Sequence, residues 1–290
     1  MTKLKTKELD NLNLVPTNDY VFKGIFGRKG SESTTESLIR DFIGLTDVEV
    51  EEVYESEVLE KDIIGDKLGI LDVLAKTKNN EYINIEMQCG NYGFIKDRLT
   101  FYLCKTFGME ALRAGDNYKD ARRTVAVLIC KDKLDVLKTI PKWRTSWHIR
   151  EDEYKAEVLT NKLEVVIIEL EKITKKIYKN EISKDSKEYI WYKFFLNPNE
   201  LGEKELKENE GVRKAKEKYD EMVGDLAEAR LALSRQMAIM DKNSIRQEGI
   251  DEGNKEQQIK IAKKLIKMGL STEEIEEATE LSKEEIENLH

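Results

Sequence analysis

Two strand-like runs separated by a short polar stretch constrain this chain most. They are Leu68–Lys76 (LGILDVLAK) and Tyr82–Gln88 (YINIEMQ), joined by Thr77–Glu81 (TKNNE). Short apolar runs flanking a turn of this composition read as a β-hairpin. Residues paired across a hairpin have position numbers with a constant sum, so a turn centred on Asn79 sets Asp72 opposite Glu86. Opposed residues hold their Cβ atoms roughly 5 Å apart. Two carboxylates that close repel each other unless a cation lies between them.

The flanking pattern supports this placement. Asn84, Glu86 and Gln88 share one face of the second strand, and Ile83, Ile85 and Met87 share the other. The apolar face belongs in a core, and the polar face is expected to meet something wet or charged. An acid within Ile70-Leu71-Asp72-Val73-Leu74 is costly to bury without a partner. The same pattern also fits a half-exposed sheet with ordinary surface acids.

Composition narrows the chemistry of such a site. The only histidines in the 290 residues are His148 and His290, and the three cysteines (Cys89, Cys104, Cys130) are widely spaced. Neither a disulfide framework nor a zinc site built on Cys and His fits. A metal here would be oxygen-bound, which suits Mg²⁺ or Mn²⁺. No apolar run approaches the roughly 20 residues of a membrane span, and the opening MTKLKTKELDNLN lacks a signal-peptide core. A cytoplasmic protein with no membrane partner is expected.

The net charge of −8 argues at first against nucleic acid. Its distribution argues otherwise. Residues 91–144 carry twelve Lys/Arg against six Asp/Glu, whereas 271–290 carry eight Glu and one Lys. The basic segment directly follows the hairpin and could receive phosphates; a solvated helix face would look the same.

Other elements follow from capping and periodicity. A helix is expected from Asp19, capped by Thr17 or Asn18. A second, with a Ser33/Glu36 capping box, should end at Gly44. Val48–Leu59 reads as an edge strand, Arg123–Cys130 as a central strand and Leu163–Leu170 as another strand. Trp143–Arg150 reads as a further edge strand. Tyr92–Ala114 has helical period through Ile95, Leu99, Leu103 and Phe107, with Arg98, Tyr102 and Lys105 on a neighbouring stripe. That helix could cross the polar sheet face and aim the stripe at the acids, or the stripe could simply face water. Lys187–Leu196 is an aromatic helix of core type. The expected organisation is a tail at 1–15, a main domain at 16–200, a helical extension with a linker at 201–250 and a small acidic helical module at 251–290. Ile245–Gly253 reads as a linker or frayed helix. In the last module, capping boxes at Ser271/Glu274 and Ser282/Glu285 precede short helices. Ile261, Leu265, Ile266, Leu270, Ile275, Ala278, Leu281, Ile286 and Leu289 are its expected mini-core. Its acidity suits partner binding or self-association, so a homo-oligomer is a further expectation.

Together, PTNDYVFKGIFG, GDKLGILDVLAKTKNNEYINIEMQ, the helix with Arg98 and Tyr102, and GDNYKDARRTVAVLIC resemble the Rpn family of recombination-promoting nucleases, or transposases. These belong to the PD-(D/E)XK nuclease superfamily. The likeness covers roughly residues 16–245, and the tail KKLIKMGLSTEEIEEATELSKEEIENL is also similar to tails in that family. It implies an α/β fold, a restriction-endonuclease-like mixed β-sheet flanked by helices, with an α-helical C-terminal extension. It implies Asp72 as the central acid, Glu86 as its paired acid, Asp19 as the acid of the N-terminal helix and Lys23 one turn further on. Lys67, Arg98 and Tyr102 match positions near such a site, and Lys105 follows on the same stripe. Gln88 stands where many superfamily members carry Lys, a replacement usual in this family. Gln can donate hydrogen bonds but brings no positive charge, so a second metal ion, Lys23, Arg98 or Lys105 must supply it.

The function so implied is a divalent-metal-dependent endonuclease that hydrolyses DNA phosphodiester bonds during recombination or transposition. The competing reading is a catalytically degenerate nuclease fold that binds nucleic acid or protein.

Overall fold

The computed structural model describes residues 14–54, 72–89, 94–110 and 115–289. Within them, six strands form one mixed sheet: β1 (Val50–Tyr54), β2 (Val73–Thr77), β3 (Tyr82–Gln88), β4 (Thr124–Cys130), β5 (Arg144–Arg150) and β6 (Val158–Glu169). The spatial order is β1-β2-β3-β4-β6-β5. β3, β4 and β6 run parallel, and the outer pairings are antiparallel. The central strand β4 (TVAVLIC) is buried along its whole length, as the continuous apolar run requires. β1 and β5 form the two edges; the β1 pattern was expected to reach Leu59, but 55–59 lie outside the described residues. So do Leu68–Leu71 at the start of the hairpin.

The hairpin turn is built from side chains suited to it. Asn80 adopts a left-handed backbone (φ 58°), a conformation that Asn tolerates. The Glu81 amide donates to Thr77 Oγ1 at 3.0 Å, and the Thr77 amide donates to the Glu81 carbonyl at 2.9 Å. The resulting register pairs Val73 with Ile85 and Leu74 with Asn84. Continued by one residue, it sets Asp72 opposite Glu86.

Helices cover both faces of the sheet. On one face, α1 (Asp19–Phe26), α2 (Glu32–Leu38), α5 (Lys187–Leu196) and α7 (Glu210–Gly224) share a core with Val73, Ile83, Ile85, Val125, Val127 and Ile168. Its centre is aromatic: Phe22, Phe26, Phe42, Trp191, Phe194 and Phe195 lie in mutual ring contact. On the other face, α3 (Ile95–Glu110) buries Ile95 and Leu99 against Leu128, Leu134, Leu137 and Ile167. The polar face of β3 is therefore covered rather than wet: Asn84 and Glu86 are buried.

Local chemistry sets the helix ends. Asn18 Oδ1 accepts from the amides of Tyr20 and Val21, capping α1. Ser31 and Thr35 hydroxyls donate to the carbonyls of Ile25 and Phe26, satisfying its C-terminal end. The expected Ser33 capping box does not form. Ser31 is the N-cap of α2, and the Glu36 carboxylate instead accepts the Val50 amide at 2.9 Å, tying α2 to β1. α2 continues as a π turn (Ile39–Ile43) and stops at Gly44, whose φ of 86° favours glycine.

Two short helices complete the list before the long one: α4 (Leu170–Tyr178) and α6 (Glu203–Glu208). The chain divides into compact units at Leu233/Ser234, inside helix α8 (Leu226–Lys267). Ile245–Gly253 is part of that helix; Gly249 and Gly253 are its weakest formers there, and no Pro follows Pro198. In the second unit, α9 (Thr272–Thr279) and α10 (Lys283–Glu287) open with the expected capping boxes. Ala262, Ile275, Leu281 and Ile286 form its buried core. Ile261 and Ala278 are exposed instead, because the helix faces that pack are those of Ala262 and of Ile275 with Thr279. Among the described residues, no helix is long and apolar enough to cross a membrane.

Candidate active site

The C-terminal end of β3 carries Glu86 and Gln88 toward α3, and Asp72 stands at the start of β2 beside them. α1 closes the third side. Its close approach has a cause: a Cβ on Gly27 would lie 3.0 Å from the Asp72 carbonyl oxygen, so glycine lets the helix end rest on that backbone. Cys89, whose Sγ donates to the Thr17 carbonyl at 3.1 Å, ties the end of β3 to the approach to α1. Sequence patterning gave no sign of this link, because Cys89 lies beyond the alternating run.

Each acid has one cationic neighbour. Lys23 Nζ lies 3.1 Å from Asp72 Oδ1, while Asp72 Oδ2 accepts the Met87 amide at 2.9 Å. Arg98 Nη2 donates to Glu86 Oε2 at 3.1 Å and to Gln88 Oε1 at 2.7 Å. The Gln88 amide nitrogen donates to the Cys89 carbonyl at 2.9 Å. The Gln88 amide is thus engaged at both ends, its oxygen by Arg98, and the positive charge beside it is a guanidinium.

The other predicted residues separate into near and far. Asp19 accepts its neighbour Tyr20's amide and lies close enough for its charge to raise the Asp72 pKa. The Tyr102 ring sits 5.9 Å from the Arg98 guanidinium carbon. Burial first, and then the Glu86 charge, raises its phenol pKa. Lys105 is not drawn to the acids; its ammonium lies over the Phe101 ring at 5.6 Å. Its place one turn beyond Phe101 on α3 carries it outward. Lys67 lies outside the described residues.

The electrostatics of the paired acids are unfavourable as they stand. Burial, and secondarily the Asp72 charge, pushes the Glu86 carboxyl up to about 7 against the pull of Arg98. Burial also raises Asp72, with Lys23 opposing. Moreover, among the described residues four of the seven buried side-chain polar atoms without a well-formed hydrogen bond belong to this cluster: Glu86 Oε1, Arg98 Nε and both amide atoms of Asn84, which still lies close enough to Glu86 to lower its pKa. Unsatisfied buried groups are rare in folded proteins, so their concentration here marks a place that a ligand or ion would complete.

Those donors fit a hard divalent cation. Mg²⁺ takes one or two carboxylates and completes its shell with water and phosphate oxygens. Two facing acids, one with a free buried oxygen, match that need. Among the described residues no group of three or more His, Cys, Asp or Glu forms an all-protein cage.

Residues 16–249 match the family model of the PD-(D/E)XK nuclease family transposases. The chain belongs to that family. The six-stranded mixed sheet with flanking helices agrees with an α/β nuclease fold. No curated protein and no solved structure matches the chain.

Proposed function

We propose that this chain is a divalent-metal-dependent DNA endonuclease, acting in the cytoplasm on mobile DNA during recombination or transposition. Membership of a nuclease family supports the reaction class. One observation carries the residue assignment: Asp72 and Glu86 face each other across the hairpin, and the buried Oε1 of Glu86 has no partner.

Asp72 and Glu86 would hold Mg²⁺ or Mn²⁺. A bound ion of this kind polarises a scissile phosphate and lowers the pKa of water. The chain's own residues do the remaining work. Arg98, oriented by the Gln88 amide, presents a fixed positive charge where negative charge develops on phosphate oxygens. Lys23 opposes the rise in the Asp72 pKa that burial causes, and the Met87 amide fixes that carboxylate's direction. Asp19 adds negative charge on the α1 side, and Tyr102 packs on Arg98 to limit its swing.

Incubation of supercoiled plasmid with the full chain and Mg²⁺ or Mn²⁺ tests this reading. Nicking is expected, with near-complete loss in Asp72→Ala and Glu86→Ala. Unchanged nicking in both variants would refute the assignment. The degenerate-fold alternative draws on the fact that Lys23 and Arg98 already neutralise the acids. Calorimetric titration with Mn²⁺ separates the two: the nuclease reading requires binding that disappears in Asp72→Ala.

A further inference from the structure

α3 grades outward from the candidate site in a way that metal chemistry does not require. From the acids, contacts run Glu86 to Arg98, Arg98 to Tyr102, Tyr102 to Phe101 (ring centroids 5.9 Å apart) and Phe101 to Lys105. The aromatic groups on this flank are half-buried Tyr102 and Phe101, at 52% exposure, on the C-terminal side of Arg98, and Phe94, at 80%, one turn before it. Neither phenylalanine belongs to a core cluster of the described residues. The packing of α3 is supplied by Ile95, Leu99 and Leu103 instead. Phe94 directly precedes α3, where its carbonyl accepts the Arg98 amide at 3.0 Å, and Phe101 lies seven residues on, about 10 Å further along the axis. Lys105 makes no ion pair among the described residues, and its ammonium rests on the Phe101 ring.

Two exposed rings flanking the Arg98 side of the candidate site, one of them beside the Lys105 ammonium, suit one occupant. We infer that this flank of α3 is a stacking track for unpaired DNA, with Phe94 and Phe101 as base platforms and Lys105 as a phosphate contact. The inference rests on the nuclease reading for its biological setting, since it names the form of DNA brought to that site. Aromatic rings receive unstacked bases without regard to sequence, whereas a paired duplex hides its base faces. A protein partner covering the same rings would not call for a cation laid across one of them. The enzyme would thereby favour single strands, junctions and frayed ends over uniform duplex.

Fluorescence anisotropy of labelled oligo(dT) and of a duplex of equal length, both in EDTA so that nothing is cleaved, tests this in the full chain. The double variant Phe94→Ala/Phe101→Ala is expected to weaken oligo(dT) binding by about tenfold or more. Duplex binding, dominated by phosphate contacts, should change by less than about twofold. Equal losses on both ligands, or an oligo(dT) affinity that does not change, would overturn the proposal. Should the double variant unfold, Phe101→Trp gives an independent readout. Its added indole fluorescence should be quenched by oligo(dT) and not by duplex, and an absence of quenching counts against the track. Because these assays need no metal, they stand or fall apart from plasmid nicking and its dependence on Asp72.

Discussion

Two buried carboxylates occupy the same sheet face two strands apart, and they are treated in opposite ways. Glu169 ends β6, beside Cys130 in β4, which in turn pairs with Gln88 of β3. Its Oε1 accepts the Leu134 amide at 2.8 Å and its Oε2 pairs with Lys172. The Lys172 ammonium also donates to the carbonyls of Leu137 and Ile140. Every charge in that group is answered, and the group pins the 131–140 loop over the second core. Glu86 has a well-formed hydrogen bond on only one oxygen, beside another acid and the Asn84 amide, which moderates its charge without making a well-formed hydrogen bond. Burial alone therefore does not single out a candidate functional acid; burial with incomplete satisfaction does.

The largest way to break this comparison is to remove the partner from the satisfied acid. Lys172→Ala leaves Glu169 buried and unpaired, which costs about 3–5 kcal/mol. Chemical denaturation at neutral pH is expected to show a loss of that size. A loss below about 1 kcal/mol would mean that the Glu169 group is not the structural counterpart of the site.

A smaller effect of opposite sign is expected at Glu86. Its folded-state carboxyl titrates near 7, above the ordinary value of 4.5. A raised carboxyl pKa means that the folded form resists ionisation. The protein bears no penalty from this group below pH 4.5, an increasing one from 4.5 to 7, and the full one above 7. That penalty is roughly 3 kcal/mol. Glu86→Gln removes it while keeping an acceptor for Arg98. The metal-free variant should thus be more stable than the parent at pH 8 by up to about that amount, and equal to it at pH 4. Saturating Mn²⁺ should reverse the order, since only the parent would gain from binding. Equal melting profiles at both pH values would show that Glu86 is no more strained than Glu169.

Much of this contrast was legible in the sequence, though unevenly. The constant-sum rule sets Asp72 against Glu86, and the turn at Asn80 then holds that register. Alternation also separates the Glu86 face from the Ile85 face. Alternation alone, however, does not reveal what covers a face, and the polar side of β3 proved to be closed by Ile95 and Leu99 of α3. Whether a cation on a helix stripe turns inward is decided by its neighbours. Arg98 reaches two acceptors on β3, whereas Lys105, two turns further along, finds an aromatic ring first. Capping went astray at Ser33 because Glu36 is drawn to the β1 backbone, a partner distant in sequence. The Glu169–Lys172 group was invisible for the same reason: its carbonyl acceptors lie about thirty residues upstream in an irregular loop.

The smallest effect sharpens the comparison at its boundary, where Gln88 separates the two acids along the sheet. Many members of the wider superfamily that this chain resembles carry Lys there, and here Arg98 lies 2.7 Å from the amide oxygen instead. If the guanidinium has taken over the charge of that Lys, Gln88→Leu should leave Mn²⁺ affinity unchanged. It should lower plasmid nicking by about tenfold, the worth of one hydrogen bond to a charged group. Gln88→Lys should be no better than Leu, because a second cation at that distance repels Arg98 from Glu86. Faster nicking in Gln88→Lys would instead show that the site had simply lost a Lys it can still use. Arg98 would then be a structural partner of Glu86, as Lys172 is of Glu169.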